Sequence, residues 1–470
     1  MKKKKSLLTF TLAAGLAFSS LGTQAIYAKA VESQHSQPFK VFDNKVINNI
    51  NVDNIYNNIE YLSQTPRVAG TAAEQNAIQF VKEQFESYGY KTELQEFEFY
   101  GYTAPETVEL KISDYSGELD PRSFTYGMDG NVTGDLVYVG LGTDADIADI
   151  ADKDLRGKIA LIQRGSISFA DKVLNAAKAG AKGVIIFNNA EGVINGTLGV
   201  PNDDYVPVVG VTQEVGQALT ESLSKGESRT ATINIEGAEG GMKTSHNVIA
   251  TKAPTNKNKA TNGIVAIGAH HDSVQGAPGA NDDASGTAMT LELARVLKDL
   301  PTNTELRFIT FGAEELGLIG SEYYASQLSE EEKNRFVGYF NLDMVGSRDA
   351  GDLVINVADG NPNIVSDAAQ ESSARLNGEA TPLELGGSSD HVSFTEVGIP
   401  AASFIHRPLE PWYHTPDDTI DKISKEKLQD VAEIVGTAVY DLVRPENQGP
   451  KAKKGEEKKL PHLHHEQEIK

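Results

Sequence analysis

At 470 residues the chain is well beyond the roughly 100–200 of one ordinary domain, and 39% hydrophobic with 23% charged residues is a globular composition, neither disordered nor membranous. A formal charge of −23 argues against a nucleic-acid partner, because phosphate binding needs a basic face. Cysteine is absent, which excludes disulfides, thiolate zinc sites, iron–sulfur clusters and cysteine nucleophiles, so any metal site must be built from His, Asp and Glu.

Residues 2–5 are lysines, 7–21 form an apolar run rich in small residues, and Ala28-Lys29-Ala30 offers a small-x-small cleavage site, the pattern of an export signal over 1–30. A membrane anchor is the competing reading, but it needs roughly 20 apolar residues and this run is shorter. No later segment is long and apolar enough to span. Removing 1–30, with its five lysines and no acid, takes the charge from −23 to −28. The mature chain is expected outside the cell, in the medium or at the cell wall, where a lack of stray thiols is an advantage.

From 41 to 99 the sequence reads as helices followed by a strand. Thr71 with Glu74 makes a capping box, Ala73, Ala77, Phe80, Val81, Phe85 and Tyr88 recur every three or four residues, and Gly89 closes the helix in the left-handed position. Between 126 and 236 the texture changes to short β runs at 135–139, 158–162 and 183–187, with one helix at 168–179 stopped by Gly180. This block shows no catalytic constellation and reads as a compact β-rich module.

After His246 strands and helices alternate. The runs 264–269, 306–311, 337–342, 353–357 and 401–404 are short and almost wholly apolar, as in strands covered on both faces, and a helix over 285–300 stops at Pro301. An α/β sandwich is expected, with functional groups at the carboxyl edge of its sheet. The segment 446–470 alternates Lys and Glu without an apolar face, so it is expected to be disordered, with His462, His464 and His465 solvated.

Polar groups stand at the exits of those strands. His270-His271-Asp272 follows Ala269, Asn281-Asp282-Asp283 opens the next helix, Glu314-Glu315 follows Phe311-Gly312-Ala313, Asp343 follows Leu342, and His414 lies within Trp412-Tyr413-His414-Thr415-Pro416. Any one alone reads as a solvated or hydrogen-bonded structural group. Together, in this order, they form a donor set suited to zinc.

The series Gly-Ala-His-His-Asp-Ser (268–273), Ala-Asn-Asp-Asp (280–283), Phe-Gly-Ala-Glu-Glu-Leu-Gly (311–317), Asn-Leu-Asp-Met (341–344) and Tyr-His-Thr-Pro (413–416) resembles the two-zinc aminopeptidases of metallopeptidase family 28, clan MH. Residues 66–71 fit as well, and Arg164-Gly165, Phe169, Lys172 and Ala179-Gly180-Ala181 resemble an inserted protease-associated (PA) domain. The resemblance implies the zinc exopeptidase fold. This is a three-layer α/β sandwich with a mixed, largely parallel central sheet, made from 31–125 and 237–445 with the β-rich PA domain inserted at 126–236.

It also implies a hydrolase that releases N-terminal residues, apolar such as Leu or basic such as Arg, from peptides and proteins. Two zinc ions per chain are expected, bridged by Asp282, with His270 and Asp343 on one ion and Glu315 and His414 on the other. Three protein ligands per ion leave a position for water, and two cations balance three carboxylates and one hydroxide. In the family the counterpart of Glu314 is the general base toward the metal-bound water, the counterpart of Tyr413 hydrogen-bonds the oxyanion, and Asp272 would orient His270. Ser389-Asp390-His391 and Phe394 match a segment near the substrate, as packing or as contact. Glu314 and Asp343 are the candidates to hold the substrate's α-ammonium. A monomer is expected.

Two alternatives remain. A related carboxypeptidase or deacylase needs an arginine to grip a carboxylate, and only Arg348 and Arg407 lie near these motifs. A receptor or binding protein on the same scaffold would have lost ligands or the base, whereas all six residues stand here.

Overall fold

The apolar runs after residue 246 form strands buried on both faces in the computed structural model of the chain, which describes residues 41–150, 155–192, 194, 196–255, 257–447 and 454–460. The expected export signal and the three tail histidines lie outside the described residues. Among the described residues there are two eight-stranded sheets. The first runs, in spatial order, Lys91–Thr103, Glu239–Lys252, Glu305–Phe311, Ile264–His270, Phe336–Leu342, Ala401–Arg407, Asp352–Val357 and Leu383–Leu385. Its four central strands are parallel and antiparallel neighbours flank them.

Alternation assigns the two faces. Val265, Ile267, Phe308 and Phe340 pack under the helices Val52–Leu62, Ala72–Ser87, Ala284–Leu297 and Lys425–Val443, whereas Ile264, Ala266, Ile309 and Tyr339 pack with Tyr324 and Phe394 from the helices Ile319–Gln327 and His391–Glu396. The result is the expected three-layer sandwich. Helix Ala72–Ser87 begins as expected, with Thr71 Oγ1 accepting from the Glu74 amide, and ends before Gly89 at φ 88°. Only half of the capping box forms, because the Glu74 carboxylate turns away to accept from the Gly70 amide at 2.6 Å and Ser245 Oγ at 2.5 Å.

The chain leaves this sheet along Lys91–Thr103 and returns along Glu239–Lys252, paired from Lys91↔Thr251 to Thr103↔Glu239, and the second sheet is inserted between them. That sheet reaches back further than the sequence suggested. Thr107–Ile112 pairs with Thr230–Glu236, and Arg122–Thr125 pairs with Val208–Val211, so a boundary at 126 cuts through it. The block also holds more than the one helix expected at 168–179, observed as Phe169–Lys178: Asp144–Asp149 and Gln213–Ser224 are helical too. Thr212 caps the latter, and Val215 and Leu219 bury its inner face. The motif at 164–172 is structural, since the buried Lys172 ammonium donates to the carbonyls of Leu141 (2.5 Å) and Gly165 (2.6 Å).

The expected disorder of 446–470 fails over 454–460. Gly455 and Lys458 amides donate to the carbonyls of Gly398 and Glu396, the Leu460 amide donates to Glu396 Oε1 at 2.8 Å, and Leu460 packs on Leu318, Ala358 and Val392. Lys454 and Lys458 pair with Glu330 and Asp359. Composition suggests a solvated segment here, but docking rests on backbone hydrogen bonds and a single leucine.

Candidate metal centre

Parallel register brings the functional side chains to one edge. His270 ends the strand Ile264–His270 and lies opposite Phe311, from which the chain runs to Glu314 and Glu315, and Gly268 pairs with Asn341, two residues before Asp343. Asp282 and Asp283, joined by a cis peptide bond, precede helix Ala284–Leu297. Asp283 caps that helix, its carboxylate accepting from the amides of Gly286 (2.8 Å) and Met344 (3.2 Å). His414, at φ 57°, lies in the loop beyond Ala401–Arg407.

The six residues singled out by the motifs converge. His270 Nε2 lies 3.3 Å from Asp282 Oδ1, 3.8 Å from Asp343 Oδ1 and 3.9 Å from Glu314 Oε2. His414 Nε2 lies 3.1 Å from Asp282 Oδ2 and 3.0 Å from Glu315 Oε2. The Asp282 carboxylate therefore faces one histidine with each oxygen. Donor atoms of His270, Asp282 and Glu315 lie within 4.8 Å of one another, as do those of His270, Glu314 and Asp343. All but Glu315 and His414 are buried.

The electrostatics are those of crowded acids sharing protons. Burial lifts the Glu314 carboxyl well above the carboxylate range against the pull of His270, and Asp390 and Glu315 add to the rise. Burial opposes charge on the histidines, yet the Glu314 charge and the carboxylates of Asp272, Asp282 and Asp343 hold His270 well above the imidazole range. Glu315 and Asp282 push His414 up to about 11 despite burial. Burial would raise Asp282, but hydrogen bonds from both imidazoles and their charges hold it below its usual value. Divalent cations suit this set: four carboxylates and two imidazoles converge, and Glu315 Oε1 is buried without a hydrogen-bond partner.

Around these groups lies a layer of acceptors. Asp272, fully buried, has Oδ1 3.5 Å from His270 Nδ1, and its two oxygens also accept from the amides of Glu314 (3.1 Å) and Glu315 (3.3 Å). It thus holds the Glu314–Glu315 turn as well as facing the histidine. Tyr413 stacks on His414 at 3.8 Å between ring centroids and packs on the cluster of Met344, Val354 and Ile405. Phe394 lies in the core, stacked on Tyr339 at 4.0 Å, so its role is packing. Ser389 Oγ accepts from Asn341 Nδ2 at 2.8 Å, His391 Nε2 meets the Gly386 carbonyl, and burial pushes Asp390 up to about 7. Arg348 turns to Asp349 and to the carbonyl of Asp421.

Further residues shape the site from outside its ligand motifs, Arg67 from the segment 66–71 among them. Buried Arg67 donates to the carbonyls of Leu62, His271, Pro278 and Gly279 at 2.6–2.9 Å, tying the segment after His270 to the loop before Asp282. Glu410 and Asp418 also act on this loop, Asp418 through the amides of Asn281 and Asp282 and Glu410 through the Asn281 side chain.

A buried histidine–carboxylate cluster at the carboxyl edge of a three-layer α/β sandwich, with a β-rich insert, defines a metal-dependent exopeptidase. Residues 247–439 match peptidase family M28 and residues 132–219 match the PA domain; the chain belongs to that family and is a zinc-type metallo-aminopeptidase carrying an inserted PA domain. It is 37% identical to aminopeptidase YwaD of Bacillus subtilis (strain 168) over 97% of both chains. Among solved structures, an aminopeptidase from Aneurinibacillus sp. strain AM-1 is 55% identical with a TM-score of 0.78, covering 90% of this chain and 99% of that one. BSAP, a zinc aminopeptidase from Bacillus subtilis, is 38% identical with a TM-score of 0.69, covering 87% and 99%.

Proposed function

We propose that the chain hydrolyses the N-terminal residue from peptides and proteins with two zinc ions, which Asp282 would hold together with His270 and Asp343 as one set of ligands and Glu315 and His414 as the other. The observation that carries this is the Asp282 carboxylate, which presents one oxygen to His270 at 3.3 Å and the other to His414 at 3.1 Å. Bound zinc would polarise the scissile carbonyl and acidify water. Glu314, buried beside His270 and Asp343, takes a proton from the attacking water and delivers it to the departing amine nitrogen, so that water adds across the C–N bond. The Tyr413 hydroxyl donates to the oxygen that gains charge, and Asp272 keeps His270 and the Glu314–Glu315 turn in place.

Glu314 and Asp343 also attract the substrate's α-ammonium group, which limits cleavage to free N-termini. The first residue released is apolar, such as Leu, or basic, such as Arg, and the surrounding acids favour Arg over acidic residues. No helix among the described residues is long and apolar enough to cross a membrane. The export pattern at 1–30 supports secretion of the mature chain.

The test is a panel of aminoacyl-p-nitroanilides set against their N-acetylated counterparts. Free Leu and Arg substrates should be cleaved and acetylated ones spared. Equal rates on both would overturn the recognition of the α-ammonium group.

A further inference from the structure

His414 and Asp282 belong to loops 132 residues apart in the sequence, yet both must meet the same ions, so something has to fix one loop to the other. The residues four positions to either side of His414 are both buried acids, with Glu410 4% and Asp418 1% exposed, and both point at the Asp282 loop. Asp418 Oδ1 accepts from the Asn281 amide at 2.8 Å and its Oδ2 from the Asp282 amide at 3.1 Å, while the Asp418 carbonyl accepts from the Ala280 amide at 3.2 Å. Glu410 Oε1 accepts from Asn281 Nδ2 at 2.7 Å.

The other side of Asn281 reaches the third ligand loop. Its Oδ1 accepts from the Gly346 amide at 2.8 Å, three residues beyond Asp343, and its carbonyl accepts from Ser285 Oγ, which in turn accepts from the Val345 amide at 3.0 Å. Asn281 is thus a junction where the Asp282, Asp343 and His414 segments are joined through hydrogen bonds among groups that are almost fully buried. Such bonds are strong relative to the alternatives, because breaking one strands its partner away from water.

We infer that Asn281, gripped by Glu410 and Asp418, is the positioning junction of the metal centre: these three residues hold the segments bearing Asp282, Asp343 and His414 in register without themselves meeting ions or substrate. The inference rests on the two-zinc reading above and deepens it. Side-chain chemistry separates the roles. Glutamine at 410 can still accept from Asn281 Nδ2, whereas alanine cannot. Asparagine at 418 offers one acceptor to two amides, so one is left unpaired.

The experiment measures zinc affinity without substrate, by competition with a chromophoric chelator, alongside the visible absorption of the cobalt-substituted protein and melting of the metal-free protein. Glu410→Ala and Asp418→Asn should each bind zinc roughly 10–100-fold more weakly and shift the cobalt bands. Glu410→Gln should stay within about threefold of the parent, since its hydrogen bond survives. Loss confined to metal-free melting, with zinc affinity and cobalt bands unchanged, would overturn the inference, and so would equal weakening by Glu410→Ala and Glu410→Gln. Should Asp418→Asn fail to fold, the Glu410 pair decides alone. If the parent itself binds no zinc, the two-zinc reading falls and this inference falls with it, whereas a zinc-binding parent with unaffected variants refutes this inference only.

Discussion

Replacing Asp272 by asparagine exchanges one oxygen for an NH2 group at a residue with no solvent exposure. In the native protein both oxygens accept from backbone amides, Glu314 at 3.1 Å and Glu315 at 3.3 Å, and Oδ1 faces His270 Nδ1 at 3.5 Å. Asparagine keeps one acceptor. Its NH2 then confronts the second amide, and a buried N–H without a partner destabilises by about 1–3 kcal/mol. The same substitution removes a carboxylate from behind the imidazole proposed to ligate zinc, a change expected to lower metal affinity or activity by roughly 10–100-fold. Two measurements separate the parts: urea unfolding of the metal-free protein reads the unpaired amide, and zinc competition reads the imidazole. Unfolding and zinc affinity both equal to the parent's would refute the assignment of Asp272 as the group that holds the turn and the histidine together.

Glu314→Gln should retain zinc while kcat falls by roughly 10²–10⁴-fold, since the proton acceptor is gone, and full activity in the zinc-loaded variant would remove Glu314 from the mechanism. In the metal-free protein burial pushes Asp390 and Asp418 up to about 7, from 3.8, and His414 stands at about 11 against 6.5. For all three the native state holds protons that the unfolded chain releases, so the stability they confer is present at low pH and lost as pH rises through those values. Melting of the chelated protein should therefore fall from pH 5 to pH 8, and a Tm that rises over that interval would contradict the shifts. Deleting 454–470 exposes Leu318 and Val392 and removes the bonds to Glu396 and Gly398, so stability should drop by about 2 kcal/mol and the Tm by a few degrees, whereas an unchanged Tm would mean that the docked segment 454–460 adds nothing.

What could be read in the sequence follows from how each feature is encoded. Apolar runs such as 264–269 and 337–342 mark buried strands because a covered strand needs no alternation, and the polar residues at their exits stand out for the same reason. Of the six metal-centre candidates, His270, Glu314, Glu315 and Asp343 stand at or just past the end of such a run, whereas Asp282, before a helix, and His414, in a loop, were legible through the motif series that places all six in order. Glu410 and Asp418 were not, since Asp418 works on backbone amides, which any residue supplies, and Glu410 on the Asn281 side chain, and no spacing records either; Arg67 lies in the fitting segment 66–71, but its bonds to carbonyls could not be read there. The reach of the inserted sheet back to Thr107 was hidden for a related reason: Thr107–Ile112 finds its partner at Thr230–Glu236, and only pairing at long range tells it from the ordinary strand that precedes it. The docked segment 454–460 escaped because its charged composition describes a solvated chain, and one leucine in an apolar hollow alters the outcome without altering the composition.

The centre is most directly tested by stripping the protein of metal and titrating zinc back while following hydrolysis of leucyl-p-nitroanilide. The geometry around Asp282 calls for no activity in the stripped protein and a rise to a plateau at two zinc ions per chain. Activity that persists in the fully chelated protein, or none at any zinc level, would contradict it.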